Sequence, residues 1–115
     1  MAVLDSILIK NLIDTPTTVN SDHSTISIDI SNRQDEFSVQ IDYDNGVSVD
    51  MILVLEVSND NVTFVPMASQ AIVDASGTHI FDAAGTGTTY LRVSITVNGG
   101  SIDLQKVLYR AKRLH

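Results

Sequence analysis

Large apolar residues alternate with polar ones along several stretches of the chain, most clearly at 26–30, 37–43 and 91–97. Successive side chains of a β-strand point to opposite faces, so each of these stretches gathers its large apolar side chains on one face. Val, Ile and Thr together make up 35 of the 115 residues, and their branched side chains favour strands. The pattern therefore predicts antiparallel strands that are buried on one face and solvated on the other.

The spacing of these stretches predicts an all-β fold. Strands are expected near 24–30, 36–43, 47–57, 62–66, 78–82, 88–97 and 101–110, and turns at 31–35, 44–46, 58–61, 75–77 and 98–100. Many short strands separated by regular turn signals are typical of a sandwich. We therefore predict a single antiparallel β-sandwich of about seven to eight strands with an extended N-terminal arm.

The segment Asp44-Asn45-Gly46 predicts a hairpin between two of these strands. A three-residue loop pairs Tyr43 with Val47 and leaves no acid on the buried face, whereas a two-residue turn buries one. This register predicts a type I turn in which Gly46 adopts a left-handed conformation within a bulge.

A second hairpin is predicted at Asn98-Gly99-Gly100, with Val97 opposite Ile102. A regular strand beyond this turn places Lys106 opposite an apolar residue, so a bulge near Gln105 is expected. That bulge would turn three later residues toward the core: Val107, Tyr109 and Ala111.

Residues 1–23 form the arm, and residues 24–115 form the sandwich domain with a basic C-terminal end. Apolar residues near the start fit helical spacing and partly fit a strand, whereas Pro16 and the polar run after it indicate an extended connection. The arm is either a short first strand or a segment that reaches a neighbouring molecule. Its candidate contact residues are Val3, Leu4, Ile7 and Leu8.

The strand at 51–57 is apolar on both faces at its centre, because Ile52 and Val54 point away from the neighbouring Met51, Leu53 and Leu55. A strand that is apolar on both sides is usually covered on both sides. Either the arm or a loop lies over Ile52 and Val54, or these two residues contact another subunit.

Charge is distributed unevenly along the chain, whose net charge is −7. All 14 acids lie within residues 1–103. An acidic body repels nucleic acid and anionic lipid, and no apolar run is long enough to span a membrane, so neither nucleic acid nor a membrane is expected as a partner.

The last twelve residues hold four cations and no acid. These cations either dock onto an acidic partner or the next subunit, or balance the domain's own acids: Lys106, Arg110, Lys112 and Arg113.

Catalytic and cofactor chemistry finds no support in the sequence. Cysteine and tryptophan are absent, and the three histidines lack the spacing of a metal site. The loop 58–61 and the group Asp42, Asp44 and Asp50 carry oxygen ligands suited to calcium, but they lack the spacing of a dedicated calcium loop. The loop 58–61 is better explained as a turn. We expect no enzyme activity, no cofactor and no signal peptide.

The segment Val54–Phe64 resembles a recurring segment of small tailed-phage virion proteins, in which a strand ends in Ser-Asn-Asp, turns, and resumes with an aromatic residue. The usual aromatic residue there is Trp, and Phe64 takes its place. Further matching features follow in order: Gly77 with His79, Tyr90–Val93, the Asn98–Gly100 turn, and a closing strand with Lys106 or Lys112. The resemblance covers roughly residues 36–112 and consists of turn and core residues.

The resemblance implies a non-enzymatic β-sandwich protein located in a bacteriophage virion, most simply a capsid decoration or cement protein. Its expected partners are the major capsid protein or other virion proteins and further copies of itself in an oligomer or lattice. A neck, tail or fibre component is the alternative. A carbohydrate- or calcium-dependent adhesion module is a further alternative, which the missing tryptophan and signal peptide disfavour.

Overall fold

The computed structural model describes residues 6–30, 36–84 and 88–113, and within them every regular element is a β-strand. All strand pairs are antiparallel, which confirms the predicted all-β antiparallel fold. The strands are β1 (Ser6–Asn11), β2 (Thr17–Val19), β3 (His23–Ser24), β4 (Ile28–Asp29), β5 (Glu36–Ser58), β6 (Val65–Ile72), β7 (Gly77–Ala84) and β8 (Tyr90–Arg113).

Strands β5 and β8 form the centre of one sheet and pair with each other from Glu36 opposite Lys112 to Ser58 opposite Tyr90, with interruptions between Asp42 and Met51. The other side of β8 is lined in turn by β1, β2, β3 and β4. The other side of β5 is lined by β7 at its first half and β6 at its second half. The sheet therefore has two halves of similar construction, and both long strands run through both halves.

The two halves meet at a waist, defined as residues 43–50 of β5 and 98–104 of β8. A straight strand of 23 residues would span about 76 Å at about 3.3 Å per residue, whereas the longest dimension of the molecule is 53 Å. The strands must therefore bend, and register shifts between β5 and β8 concentrate at the waist. Asn45, Ser48 and Gly100 have positive φ there.

Both predicted hairpins are wrong. Residues 36–43 and 47–57 belong to one continuous strand and pair with β8 instead of with each other. The segment 98–100 likewise continues through β8. Each turn signal marks a bend at the waist, where Val47 lies opposite Ser101 and Asp50 opposite Gly99. Pairing β5 with β8 also keeps apolar residues opposite apolar residues, so the burial argument used for the hairpins does not distinguish the two arrangements.

Gly46 is not left-handed, contrary to expectation, since the positive φ angles fall on Asn45 and Ser48 instead. Gly46 is constrained by close packing. Its N–H donates a 2.8 Å hydrogen bond to the carbonyl of Ala75, and a Cβ added to it would lie 2.8 Å from the Ala75 Cα.

The bulge near Gln105 is confirmed. Asp42 pairs with Lys106 and Tyr43 with Leu104, so Gln105 is an extra residue in β8. The three residues expected to turn inward beyond it are buried: Val107, Tyr109 and Ala111.

Two other strand positions differ from the prediction. The strand expected at 62–66 begins only at Val65, because residues 58–63 form a loop held by its own side chains. The strand expected at 24–30 is reduced to the short β3 and β4. The turn predicted at 31–35 lies outside the described residues.

The buried core is one cluster that receives side chains from both halves of β5 and β8. This arrangement is compatible with a sandwich in which the two halves of the sheet face each other. Leu12, Ile13 and Val19 belong to the same cluster. Of the two alternatives for the arm, the described part forms strands on β8; the division of the chain at residue 23 stays a prediction. The described residues contain no helix that could span a membrane.

Candidate protein-interaction site

Two of the four candidate contact residues of the arm lie in β1, at an edge of the sheet. Val3 and Leu4 are outside the described residues. Ile7 and Leu8 lie in β1, where their backbones pair with Lys112 and Ala111 of β8. The arm and the C-terminal end of β8 therefore meet along one ladder, although the sequence separates them by about a hundred residues.

Ile52 and Val54 lie on the outer face of the half formed by β3, β4, β6 and the adjoining parts of β5 and β8. The odd-numbered residues of this part of β5 are buried in the core, so the even-numbered ones point outward. Ile52 and Val54 are half-buried. The described arm pairs beside β8 in the sheet and so does not lie over them.

Small uncharged residues surround these two side chains on the same face. Their cross-strand partners on β6 and β8 are Ala71, Ser69, Thr96 and Ser94. We call these six residues the neutral face: Ile52, Val54, Ser69, Ala71, Ser94 and Thr96.

One ion pair borders the neutral face. The Arg92 Nε lies 2.8 Å from the Glu56 carboxylate, and the two side chains are 30% and 15% exposed. The Arg92 guanidinium also lies 3.9 Å above the centre of the Phe64 ring. This cation–π contact adds to the ion pair in holding the arginine. The charge at this border is thus neutralised within the chain. Phe64, which makes the cation–π contact, is the aromatic residue that follows the Ser-Asn-Asp turn in the phage-like segment.

The outer face of the other half is charged. We define the charged face as Glu36, Asp42, Asp82, Lys106 and Arg110, whose side chains share the outward positions of β5, β7 and β8. Lys106 lies opposite Asp42, and Arg110 lies between Ile9 and Ser38. Lys106 and Arg110 are both exposed.

Two residues of the basic C-terminal end lie opposite acids of their own chain in the backbone ladder: Lys106 pairs with Asp42 and Lys112 with Glu36. Arg113 pairs with Ser6. Among the described side chains, however, the ion pair within 4.0 Å is Glu56–Arg92 alone. The cations of the charged face lie near acids without being held by them.

The calcium candidates use their oxygens within the chain. Asp60 accepts hydrogen bonds from the N–H groups of Val62 and Thr63 at 2.9 and 2.8 Å, and from the Ser58 hydroxyl at 2.9 Å. These donors lower the pKa of Asp60, those of the backbone most strongly. In the second group, Asp44 accepts a hydrogen bond from Gln105. No group of three metal-ligating side chains occurs in the part of the chain that is described.

Ile80 is an exposed apolar residue that was not among the contact residues predicted from the sequence. It lies at the outward position of β7 between Thr78 and Asp82 and is 50% exposed. The signal was available, because alternation along 78–82 places Ile80 on the polar side of that strand. On the core side, His79 packs edge-on against Phe81 with ring centres 4.5 Å apart.

The fold is similar to that of the SPBc2 prophage-derived protein YomS. The TM-score is 0.63 at 11% sequence identity, and the likeness covers 98% of each chain. The infectious bursal disease virus VP2 of a subviral particle is similar over 94% of this chain and 32% of its own, with a TM-score of 0.62 and 7% identity.

The same fold also occurs outside viruses. A Clostridium thermocellum xylanase 10B chain with CBM22-1 and GH10 modules, complexed with xylohexaose, has a TM-score of 0.52 and 12% identity. That likeness covers 91% of this chain and 26% of the xylanase chain. No protein-family model and no curated protein matches the sequence. At these identities the likenesses establish the fold alone.

Proposed function

We propose that the protein is a non-enzymatic structural protein of a bacteriophage virion, and specifically a decoration or cement protein of the capsid. The observation that carries this proposal is the likeness to a prophage-derived protein over 98% of both chains. The likeness to VP2 of a subviral particle points to the same class of protein. The virion-like segment around Phe64 supports it independently, since it rests on residue types and not on the fold.

The two outer faces suit binding to other proteins. The neutral face can be desolvated at a lower cost than the charged face, because it carries no charge and its three hydroxyl groups need only hydrogen-bond partners on the shell. We assign it to contact with the capsid shell. The charged face can meet neighbouring copies through cations and acids that lie side by side. Contacts of a few kcal/mol each are sufficient where many copies act together.

A neck, tail or fibre component is the nearest alternative, and the number of copies per particle distinguishes it. A decoration protein is present in numbers comparable with the major capsid protein, whereas a neck or tail component is present in far fewer copies. Quantitative mass spectrometry of purified particles measures this ratio. Deleting the gene provides a second test. Heads that assemble but break more easily on heating support decoration, whereas separated heads and tails support the alternative.

The protein could instead be an adhesion module, a possibility favoured by the xylanase that shares the fold. Glycan-array binding and calorimetric calcium titration test this second candidate directly. Micromolar affinity for a glycan or for calcium, together with absence of the protein from purified particles, would replace the virion role. Recovery of the protein in purified particles, together with no such affinity, supports the virion role.

A further inference from the structure

Strand β7 is an edge strand of the sheet within residues 6–30, 36–84 and 88–113. It pairs with β5 over eight consecutive positions, from Gly77 opposite Tyr43 to Ala84 opposite Glu36, without a register shift. Among the described strands β7 pairs with β5 alone. In such an edge strand, alternate backbone N–H and C=O groups point away from the sheet and can pair with another strand.

Two of the other edge segments, β6 and β1, carry features that discourage such pairing, and β7 does not. In β6, Pro66 removes a backbone donor, and a register shift at Leu55/Glu56 makes Met67 an extra residue. In β1, an exposed Lys10 lies on the edge. Prolines, bulges and lysines are the usual means by which natural sheets protect their edges. Strand β7 contains none of them, and its only charged residue is Asp82.

We propose that β7 pairs antiparallel with β7 of a second copy of this chain, about a two-fold axis through Ile80. In this register Ile80 lies opposite the partner's Ile80, so the two half-exposed side chains cover each other. Thr78 lies opposite the partner's Asp82, where its hydroxyl can donate to the carboxylate. On the core side, His79 lies opposite the partner's Phe81.

Packing and charge favour this register over its neighbours. An axis through His79 or Phe81 leaves Ile80 opposite the partner's Thr78 or Asp82 instead of opposite another Ile80. An axis through Asp82 places two carboxylates directly opposite each other, and like charges directly across a strand pair destabilise it. The register centred on Ile80 avoids this clash, covers both Ile80 side chains and forms the Thr78–Asp82 pair twice, as a two-fold interface requires.

Sedimentation velocity of the full chain tests the pairing. The wild-type protein should sediment as a dimer at about 0.1 mM, a concentration at which a dimer is populated even if its dissociation constant is several micromolar. Ile80→Lys brings two cations together on the axis and weakens association by about tenfold or more. Val62→Lys makes the same change of charge at a side chain that is 81% exposed, in the loop after β5, and leaves the dimer intact. A monomeric wild type, or equal effects of the two variants, overturns the proposal.

Disulfide crosslinking provides a second test that does not depend on the stability of the lysine variant. The chain has no cysteine, so a single introduced thiol reports on one position. Opposed residues of an antiparallel pair have Cα atoms about 4.5 to 5.5 Å apart, within the range for a disulfide. Under mild oxidation, Ile80→Cys forms a covalent dimer at least about tenfold faster than Val62→Cys.

The proposed register is tested by mixing two other cysteine variants. Thr78→Cys mixed with Asp82→Cys crosslinks faster than either variant alone, because only the mixture places thiols opposite each other. A mixture no faster than its components overturns the register. The pairing does not depend on the virion role: a dimer absent from particles contradicts only the proposed function, and a monomer found in particles contradicts only the pairing.

Discussion

Gly100 occupies the waist with φ of +79°. A Cβ at this position would overlap the carbonyl oxygens of Val47 and Ser48 on the facing strand. Only glycine combines this backbone conformation with such a close approach. The identity of one residue in β8 therefore decides whether β5 can bend beside it.

Gly100→Ala should lower the free energy of unfolding by about 2 kcal/mol or more, because both the φ angle and the overlap oppose a side chain. The matched control is Gly99→Ala. There the nearest neighbour of an added Cβ is the Asp50 Cβ at 3.9 Å, so a change within about 0.5 kcal/mol is expected. Urea unfolding of both variants measures the difference. Equal unfolding midpoints would contradict the geometry at the waist.

Acid stability is a second property set by single residues. Backbone donors to Asp60 lower its pKa, and hydrogen bonds from Thr18 and Asn45 lower the pKa of Asp103. A carboxyl group whose pKa is lower in the folded state than in the unfolded state stabilises the fold at pH values above its unfolded-state pKa. That stabilisation is lost as the pH falls from 3.8 through the folded pKa.

We therefore expect the melting temperature to decrease as the pH is lowered below 3.8. The Asp60→Asn variant should show a smaller decrease over the same range. The amide oxygen can still accept the hydrogen bonds of the turn, but it does not titrate. Thermal unfolding between neutral pH and strong acid, followed by circular dichroism, measures the effect. A pH profile that is identical in Asp60→Asn and wild type would refute the assignment.

At the scale of elements, the bulge at Gln105 reconciles the length of β8 with that of β5. Leu104 points inward, and beyond the bulge Val107 and Tyr109 point inward again. Removing Gln105 would leave Leu104, Lys106 and Val107 in simple alternation, so every buried residue keeps its face.

Deletion of Gln105 should therefore be tolerated, at a cost of about 2 kcal/mol or less, which includes the lost hydrogen bond to Asp44. Deletion of Leu108, three residues later, should prevent folding. It turns Tyr109 outward and brings Arg110 into the core. Circular dichroism and urea unfolding of the two deletions test this contrast. Equal damage from both would show that the bulge is not an insertion.

The N-terminal segment should contribute to the core as well as to the edge of the sheet. Leu12 is 1% exposed and Ile9 is 60% exposed. Leu12→Ala is expected to cost about 2–5 kcal/mol because it leaves a cavity, whereas Ile9→Ala should cost less than about 1 kcal/mol. Urea unfolding provides the measurement. Little loss of stability in Leu12→Ala would return residues 6–13 to the status of a detachable arm.

Alternation was enough to predict most strand segments and their buried faces, because side-chain direction in a strand is a local property. It predicted the inward positions of β5 and even the bulge at Gln105. Which strand each strand pairs with was not predictable from the same residues. The waist segments around Gly46 and Gly100 are compatible with either a hairpin or a bend, and the choice depends on pairing across more than fifty residues. The candidate contact residues Ile52 and Val54 were correctly placed opposite the buried face, but their uncharged surroundings come from β6 and β8.

The whole molecule has two outer faces of different character, and the difference can be tested on particles. If the neutral face contacts the shell, binding to particles lacking the protein should be nearly independent of salt at low occupancy, where bound copies do not touch each other, because screening acts on charges. Val54→Asp should abolish binding. Gln40→Asp makes the same addition of charge at a half-buried outward position of β5 in the charged half, and it should bind as wild type does. Cosedimentation with particles measures both. Strong salt dependence, or equal loss in the two variants, would reassign the contact to the charged face.

The continuity of β5 and β8 has a mechanical consequence. The two strands pair with each other on both sides of the waist, from Glu36 opposite Lys112 to Ser58 opposite Tyr90. Tension applied between opposite ends of these two strands would load the hydrogen bonds between them in shear, so that many of these bonds would have to break together. In a meander of hairpins, the hydrogen bonds between strands would instead break one after another. If the protein binds a capsid shell as proposed, this resistance to shear would help it to hold the shell together under internal pressure.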